Sequence, residues 1–179
     1  MKTMETDVII VAAGPSGLAA AVTVGEAGLS SIVFEKSNTT GGAANMGMGP
    51  LGIGTKIQKR QFTEITKDEA YDMHMKYTHY QVDADLVQTY FEKSADTIEW
   101  LEDMGVEFVY RNTTLYTPTR MRSYAEPERT CHAVKPADGG RLGPRVAARM
   151  TKAMAERARE LGVNIMLETP GKKIGRAHV

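Results

Sequence analysis

The sequence predicts an α/β fold built on a parallel sheet, and three observations support it. Val8 to Val11 form an uninterrupted apolar run, typical of a parallel strand buried on both faces. A glycine turn, an alanine-rich helical segment and a second apolar strand, Ser30 to Glu35, follow directly. Near the end of the chain, a helical segment stops at Gly162 immediately before a further apolar run. Strands alternating with helices in this way indicate a Rossmann-like domain, a parallel sheet with flanking helices.

The first turn resembles the G-x-G-x-x-G motif of dinucleotide-binding proteins, with Ala12 in place of the first glycine. Gly14 would let the backbone approach a pyrophosphate, and Gly17 would let the helix pack closely on the strand. Pro15 suits the first helical turn, whose free N–H groups, including that of Ser16, attract phosphate. Ala12 is compatible with this turn if its φ stays negative. An ordinary strand-to-helix turn is the alternative.

The end of the second strand supports the dinucleotide interpretation. Glu35 lies 21 positions after Gly14, where a carboxylate accepts hydrogen bonds from ribose hydroxyls. The segment 38–54 then contains six glycines, which would make a regular helix or strand entropically costly. Its small apolar residues argue against a solvated linker. We therefore expect a loop whose backbone contacts a ligand, with disorder as the alternative.

The middle of the chain predicts two helices and a strand. Thr66 to Glu69 form a capping box that begins a helix through Met75. Asp83 or Asp85 begins a longer helix that ends at Gly105, followed by a strand at Val106–Tyr110. The apolar residues of the longer helix recur at helical spacing and predict one buried face: Val87, Phe91, Ala95, Ile98 and Leu101.

The last third predicts an irregular segment followed by another helix and strand. Residues 111–136 contain three prolines and no clear periodicity. The final helix follows Gly139 and Gly140 and leads into a strand at Val163–Thr169. His132, near Arg129 and Lys135, could face a substrate carboxylate or lie in a solvated loop.

Composition excludes several classes of protein. The formal net charge is zero, which gives no electrostatic footprint for nucleic acid. No apolar run approaches the length of a membrane span. A single cysteine, Cys131, excludes an internal disulfide and a cysteine-based metal cluster. Because the first residues also do not resemble a secretory signal, we expect a cytoplasmic protein.

The last six residues, 174–179, fit their surroundings poorly. We hypothesise that Ile-Gly-Arg-Ala-His-Val is a non-native tail, because a widely used sequencing adapter read in frame, ATC GGA AGA GCA CAC GTC, encodes it. Different codons in the nucleotide record would end this hypothesis. The alternative is a native tail that happens to match. We exclude these residues from the fold.

Four segments together resemble the flavoprotein subunits and soluble relatives of the fumarate reductase and succinate dehydrogenase type, within the FAD-dependent oxidoreductase 2 family. They are the first βαβ unit, the Gly41-Gly42 pair with its loop, residues 82–105 with Ile-Glu-Trp-Leu before Gly105, and residues 135–167. The resemblance implies that residues 1–173 are the N-terminal part of an FAD-binding domain whose cap domain is absent.

The resemblance also implies that the dinucleotide is FAD. In the family, the second-strand acid holds the adenosine ribose, the first turn holds the pyrophosphate, and the Gly-Gly loop follows the flavin. Some members attach FAD through a histidine in this loop, but no histidine lies between Ser37 and Pro50, so non-covalent FAD is expected. The residues implied to contact FAD are Ala12, Gly14, Pro15, Ser16, Gly17, Glu35, Lys36, Gly41, Gly42, Ala43, Ala44, Asn45, Gly47 and Gly49.

The implied reaction is hydride transfer from flavin N5 to an activated alkene beside a carboxylate. In the family, the catalytic Arg and His residues lie in the cap domain and in a C-terminal return of the FAD domain, so no catalytic residue and no metal ligand is assigned in this chain. The expected partner is a small carboxylate substrate, and the electron donor stays open. The alternatives are a ketosteroid-type dehydrogenase, a non-catalytic flavin-binding module and an inert fragment.

Overall fold

A computed structural model of the chain describes residues 3–62, 64–109 and 130–172. The chain divides into two compact units, one formed by Met1–Gly47 with Ala147–Val179, the other by Met48–Val146. Residues 174–179, the hypothesised tail, lie outside the described part. The elements in chain order are β1 (Val8–Val11), α1 (Pro15–Glu26), β2 (Ser31–Phe34), a 3-10 turn (Gly42–Met46), α2 (Lys56–Gln61), α3 (Lys67–Tyr77), α4 (Ala84–Asp103), α5 (Ala148–Glu160) and β3 (Asn164–Met166).

The first unit contains the predicted parallel sheet with flanking helices, which confirms the α/β fold class. The strand order is β1-β2-β3, and both pairs are parallel, with Ile10 opposite Val33 and Val33 opposite Ile165. Helix α1 connects β1 to β2, and α5 precedes β3. The β1–β2 connection is therefore a strand–helix–strand crossover, whereas the chain between β2 and β3 includes the whole second unit before α5.

Helices α1 and α5 pack against each other in this unit. A Cβ atom at Gly25 would lie only 2.7 Å from Cβ of Leu161, so the glycine permits this close approach. The buried residues of the two helices are mostly small or aliphatic, which suits close helix packing: Leu18, Ala21, Val22, Met150, Thr151, Met154, Ala155 and Ala158.

The second unit contains α2, α3 and α4, and its helix starts follow the sequence signals. Thr66 and Glu69 form the predicted capping box, and a second one joins Thr55 to Gln58. The side chain of Asp83 accepts from the Leu86 N–H, which begins α4 as predicted. The buried face of α4 packs into an apolar cluster with Ile53, Ile65 and Ala70.

One predicted strand and two element boundaries differ from the prediction. The predicted strand at Val106–Tyr110 is wrong for its described part, because only Phe108 forms a bridge, antiparallel to Val134. Helix α5 begins at Ala148, well after the glycine pair. The strand β3 ends at Met166, since Glu168 adopts a positive φ of 51°. In the part of the chain that the structure describes, no helix combines the length and apolar character needed to cross a bilayer.

Candidate functional site

The turn after β1 is held in a strained conformation. Ala12 has a φ of +83°, so the expectation that this alanine keeps a negative φ is wrong. Three backbone contacts hold the turn: the Ala12 N–H donates to Phe34 O (2.8 Å), the Ala13 N–H donates to the Glu35 carboxylate (2.8 Å), and Ala13 O accepts from the Gly41 N–H (2.7 Å). The first-glycine position therefore keeps its glycine-like backbone although the residue is alanine.

The two glycines that remain in this motif have different surroundings. A Cβ at Gly17 would lie 1.9 Å from Ala12 O, so any side chain there would displace α1 from the turn. At Gly14 a Cβ would meet no atom within 4 Å, which leaves the backbone open on that side. Gly14 is also the N-cap of α1, with no side-chain cap and with Pro15 in the first turn. Ser16, in the same turn, is exposed.

The Glu35 carboxylate is buried and faces the turn. One oxygen accepts from the Ser37 N–H (2.8 Å) and the other from the Ala13 N–H (2.8 Å), and the side chain is 6% exposed. These backbone donors, Ser37 first, hold the pKa of Glu35 below its ordinary range. Each oxygen retains a further lone pair. Glu35 thus supports the turn directly, and its contact with a ribose stays a prediction. The neighbouring Lys36 is exposed.

A second glycine turn lies beside the first. Gly41 and Gly42 have φ values of +101° and +51°, a backbone that glycine adopts at low cost. A Cβ at Gly42 would lie 3.5 Å from the Cα of Gly14, so the two turns meet through their glycines. The outer side of the following 3-10 turn is exposed at Ala43, Met46 and Gly47, and Ala44 is partly buried.

Asn45 points inward from this turn. Its Nδ2 donates to Thr40 O (2.8 Å), and its Oδ1 accepts from Thr151 Oγ1 (2.6 Å). The sequence analysis did not assign Thr151. A polar residue on the otherwise apolar face of the last helix is the signal that could have found it.

Gly49 is the one predicted site residue that falls in the second unit. A Cβ there would lie 1.9 Å from the carbonyl oxygen of His132, so the glycine is required by packing within that unit. The other thirteen predicted residues all belong to the first unit. Contact of Gly49 with a ligand stays a prediction.

His132 is buried, at 4% exposure, so the solvated-loop interpretation is wrong. Its Nδ1 lies 2.9 Å from Thr130 O, which can only accept, and its Nε2 lies 2.8 Å from Thr55 Oγ1. Burial lowers the pKa of His132, which favours a neutral ring with the proton on Nδ1. Lys135 pairs with Glu107. Arg129 lies outside the described residues.

Comparison with known proteins identifies the fold and the cofactor class. The sequence profile of the FAD binding domain family matches residues 7–177. Vinyl phenol reductase of Lactiplantibacillus plantarum is 31% identical over 57% of this chain, which corresponds to 21% of its own length. NADH:fumarate oxidoreductase of Klebsiella pneumoniae is 28% identical over 94% of this chain and 17% of its own length. The chain thus spans about a fifth of these relatives.

The fold of this chain is also found among solved structures. The 3-ketosteroid-delta4-(5alpha)-dehydrogenase of Rhodococcus jostii RHA1, crystallised with 4-androstene-3,17-dione, superposes with a TM-score of 0.76. The match covers 91% of this chain and 38% of that protein at 24% identity.

Proposed function

Since this chain belongs to the FAD binding domain family, we propose that it binds FAD non-covalently through the two adjoining glycine turns of its first unit. The observation that carries the proposal is the contact between Gly14 and Gly42, beside the unblocked N-terminus of α1. Backbone without side chains at both positions leaves room for a bulky dinucleotide.

The first turn suits a pyrophosphate. The open side of Gly14 admits the phosphate oxygens, and the first-turn N–H groups and helix dipole of α1 favour their negative charge. Ser16, exposed in that turn, offers a hydroxyl or amide donor. Glu35 offers the remaining lone pairs of its carboxylate to the ribose hydroxyls, with Lys36 next to it. Pro15 and Ala12 shape the turn and contact the dinucleotide through their backbone.

The second turn suits the flavin end. Gly42, Ala43, Ala44 and Gly47 present backbone and small side chains that permit close approach, while the buried Gly41 sets the conformation of the turn. The family resemblance extends the path to Gly49. Because the loop contains no histidine between Ser37 and Pro50, the flavin has no histidine ligand there for a covalent bond. Denaturing the FAD-loaded chain should therefore release all of its flavin, and flavin that stays with the precipitated protein would contradict this part of the proposal.

For the whole protein we propose reduction of an activated alkene beside a carboxylate. Bound flavin supplies the hydride for such a reduction. The name of the Klebsiella relative supports an unsaturated dicarboxylate as the substrate class, whereas that of the Lactiplantibacillus relative supports a vinyl phenol. This chain contributes the orientation of the cofactor. The single cysteine supports a cytoplasmic, reducing location, which fractionation of cells would test.

Replacement of Gly14 by alanine tests FAD binding. The backbone there has an ordinary φ of −71° and open space, so the fold should tolerate the methyl group. The methyl would occupy the path of the pyrophosphate, and we expect the FAD dissociation constant to rise about tenfold or more. Gly143→Ala is the matched control, since a Cβ there also meets no atom within 4 Å. Equal FAD affinity in the two variants would contradict the assigned pyrophosphate site.

Acceptor oxidation of bound flavin tests the reaction class. A longer polypeptide that includes the remainder of the protein would be reduced and then mixed with fumarate, 4-vinylphenol or an unsaturated 3-ketosteroid such as 4-androstene-3,17-dione. The proposal predicts rapid flavin reoxidation by the unsaturated carboxylate. Reoxidation by the vinyl phenol or the steroid alone would replace the carboxylate proposal with that acceptor class, and no reoxidation by any acceptor would favour a non-catalytic module.

A further inference from the structure

A threonine in the first turn of α5 contacts the second glycine turn. Thr151 is 1% exposed, and its hydroxyl lies 2.6 Å from Asn45 Oδ1 and 3.1 Å from Ala148 O in its own helix. A hydroxyl group has one proton to donate. Asn45 Oδ1 is the better acceptor for it, because this oxygen lies closer than Ala148 O. The two residues are 106 positions apart in the sequence.

Asn45 connects Thr151 to the turn through a second hydrogen bond. Its Nδ2 donates to the carbonyl of Thr40, directly before Gly41 (2.8 Å). A Cβ at Gly41 would lie 2.0 Å from Asn45 Oδ1 and 2.6 Å from Thr151 Oγ1, so the Gly41 backbone packs directly against these two side chains. The Gly41 N–H in turn donates to Ala13 O in the first turn. One hydrogen-bonded path therefore joins α5 to both glycine turns.

A backbone contact supports the same turn from its other end. The Ala147 N–H, at the start of α5, donates to Gly47 O (3.2 Å), immediately after the 3-10 turn. Helix α5 thus contacts the turn at the side chain of Asn45 and at the backbone carbonyl of Gly47. The outer side stays exposed, with Met46 at 59% exposure.

We propose that Thr151 is a positioning residue, which acts through Asn45 to fix the Gly41–Gly42 turn in the conformation that receives the flavin. The inference rests on the proposed function, because it assigns the outer side of this turn to FAD. Asn45 is accordingly a positioning residue too, through its hydrogen bonds to Thr40 and Thr151, and its own contact with FAD stays a prediction.

Three variants of the full chain test this role by FAD titration. Thr151→Val keeps the shape of the side chain but leaves Asn45 Oδ1 without its hydroxyl donor, and we expect FAD to bind about tenfold more weakly. Thr151→Ser restores the donor and should return the affinity to within about twofold of wild type. Thr97→Val is the matched control, because the exposed Thr97 hydroxyl donates to Lys93 O in its own helix, in the second unit. Weakening by Thr97→Val as large as that by Thr151→Val, or no rescue by serine, would overturn the inference.

Two further readouts separate positioning from loss of stability. At saturating FAD, the visible absorption band of the flavin should shift in Thr151→Val and not in Thr151→Ser. Without FAD, amide hydrogen exchange should accelerate at residues 40–47 in Thr151→Val while exchange in β1 and α1 stays unchanged. Uniform acceleration over the first unit, or none at residues 40–47, would overturn the inference. If the wild-type chain binds no FAD, the proposed function fails, and exchange still decides whether Thr151 orders the turn.

Discussion

At the scale of single residues, the candidate site depends on backbone conformation more than on side-chain chemistry. Ala12 adopts the left-handed region at φ +83°, which costs an L-residue about 1–2 kcal/mol. The surrounding hydrogen bonds on Ala12 and Ala13 offset this strain. Glu35 belongs to the same arrangement, since its carboxylate accepts from the Ala13 N–H. A strained turn that is fixed before the ligand arrives is preorganised for binding.

Ala12→Gly should stabilise the chain. Glycine removes the left-handed strain, and its greater freedom in the unfolded chain offsets part of the gain, so we expect about 0.5–1 kcal/mol in the free energy of unfolding. Urea denaturation measures the change. Ala13→Gly is the control, because Ala13 is fully buried and has no positive φ, and it should destabilise by about 1 kcal/mol. A loss of stability in Ala12→Gly would show that the strain is not present in solution.

Glu35 should make the first unit sensitive to acid. Its folded-state pKa is lowered from 4.5, so the unfolded chain takes up the proton first as pH falls. Its contribution to stability is therefore complete above about pH 4.5 and is lost as pH falls through the folded-state pKa. Urea denaturation at several pH values should show a steeper acid decline for wild type than for Glu35→Gln. Parallel declines in the two proteins would contradict the role of this carboxylate.

At the scale of elements, the sequence predicts strands and helix caps that neighbouring residues signal. It misses contacts between residues that are far apart in the chain. The strand β1, the capping box of Thr66 and the Asp83 cap are signalled within a few residues, and each is confirmed. The predicted burial of β1 on both faces is wrong, because Ile9 and Val11 are 64% and 51% exposed. The contact between Thr151 and Asn45 joins residues 106 positions apart, so the polar residue on the apolar helix face can single out Thr151 but does not reveal its partner. The predicted strand after Gly105 fails because Phe108 has one bridging partner only, and apolar character alone does not provide a sheet neighbour.

Gly17→Ala should disrupt the packing of α1 on the first turn. The added Cβ would lie 1.9 Å from Ala12 O, a backbone atom that cannot rotate away. We expect destabilisation by about 2 kcal/mol or more, measured by urea denaturation. Gly14→Ala, in the same motif but with open space, should change the free energy of unfolding by less than about 0.5 kcal/mol. Equal costs for the two substitutions would contradict the close helix–turn contact.

At the scale of the whole molecule, the two compact units carry different buried titratable groups. The first unit buries the Glu35 carboxylate, and the second buries the imidazole of His132. Burial lowers the pKa of His132 and also that of His74, on α3 of the second unit. Protonation of the buried His132 ring would place a positive charge in the interior of the second unit. The two units should therefore lose stability over different ranges of pH.

The second unit should weaken first on acidification. A histidine whose folded-state pKa lies below 6.5 contributes no pH dependence to the free energy of unfolding above pH 6.5. Below it, the unfolded state binds the proton first, so stability falls. Hydrogen exchange corrected for its intrinsic pH dependence should accelerate at residues 48–55 and 130–134 once the pH falls below about 6.5, while β1 and β2 stay protected down to about pH 4.5. Earlier loss of protection in β1 than in these segments would contradict this order.

The central claim is that this chain, a fifth of the length of its relatives, holds FAD by itself. The most direct measurement is the visible spectrum of the purified chain after incubation with FAD and removal of free flavin, followed by denaturation and identification of the released cofactor. The account predicts a retained yellow chromophore that denaturation releases entirely as FAD. A colourless chain, or one that retains FMN in preference to FAD, would contradict it.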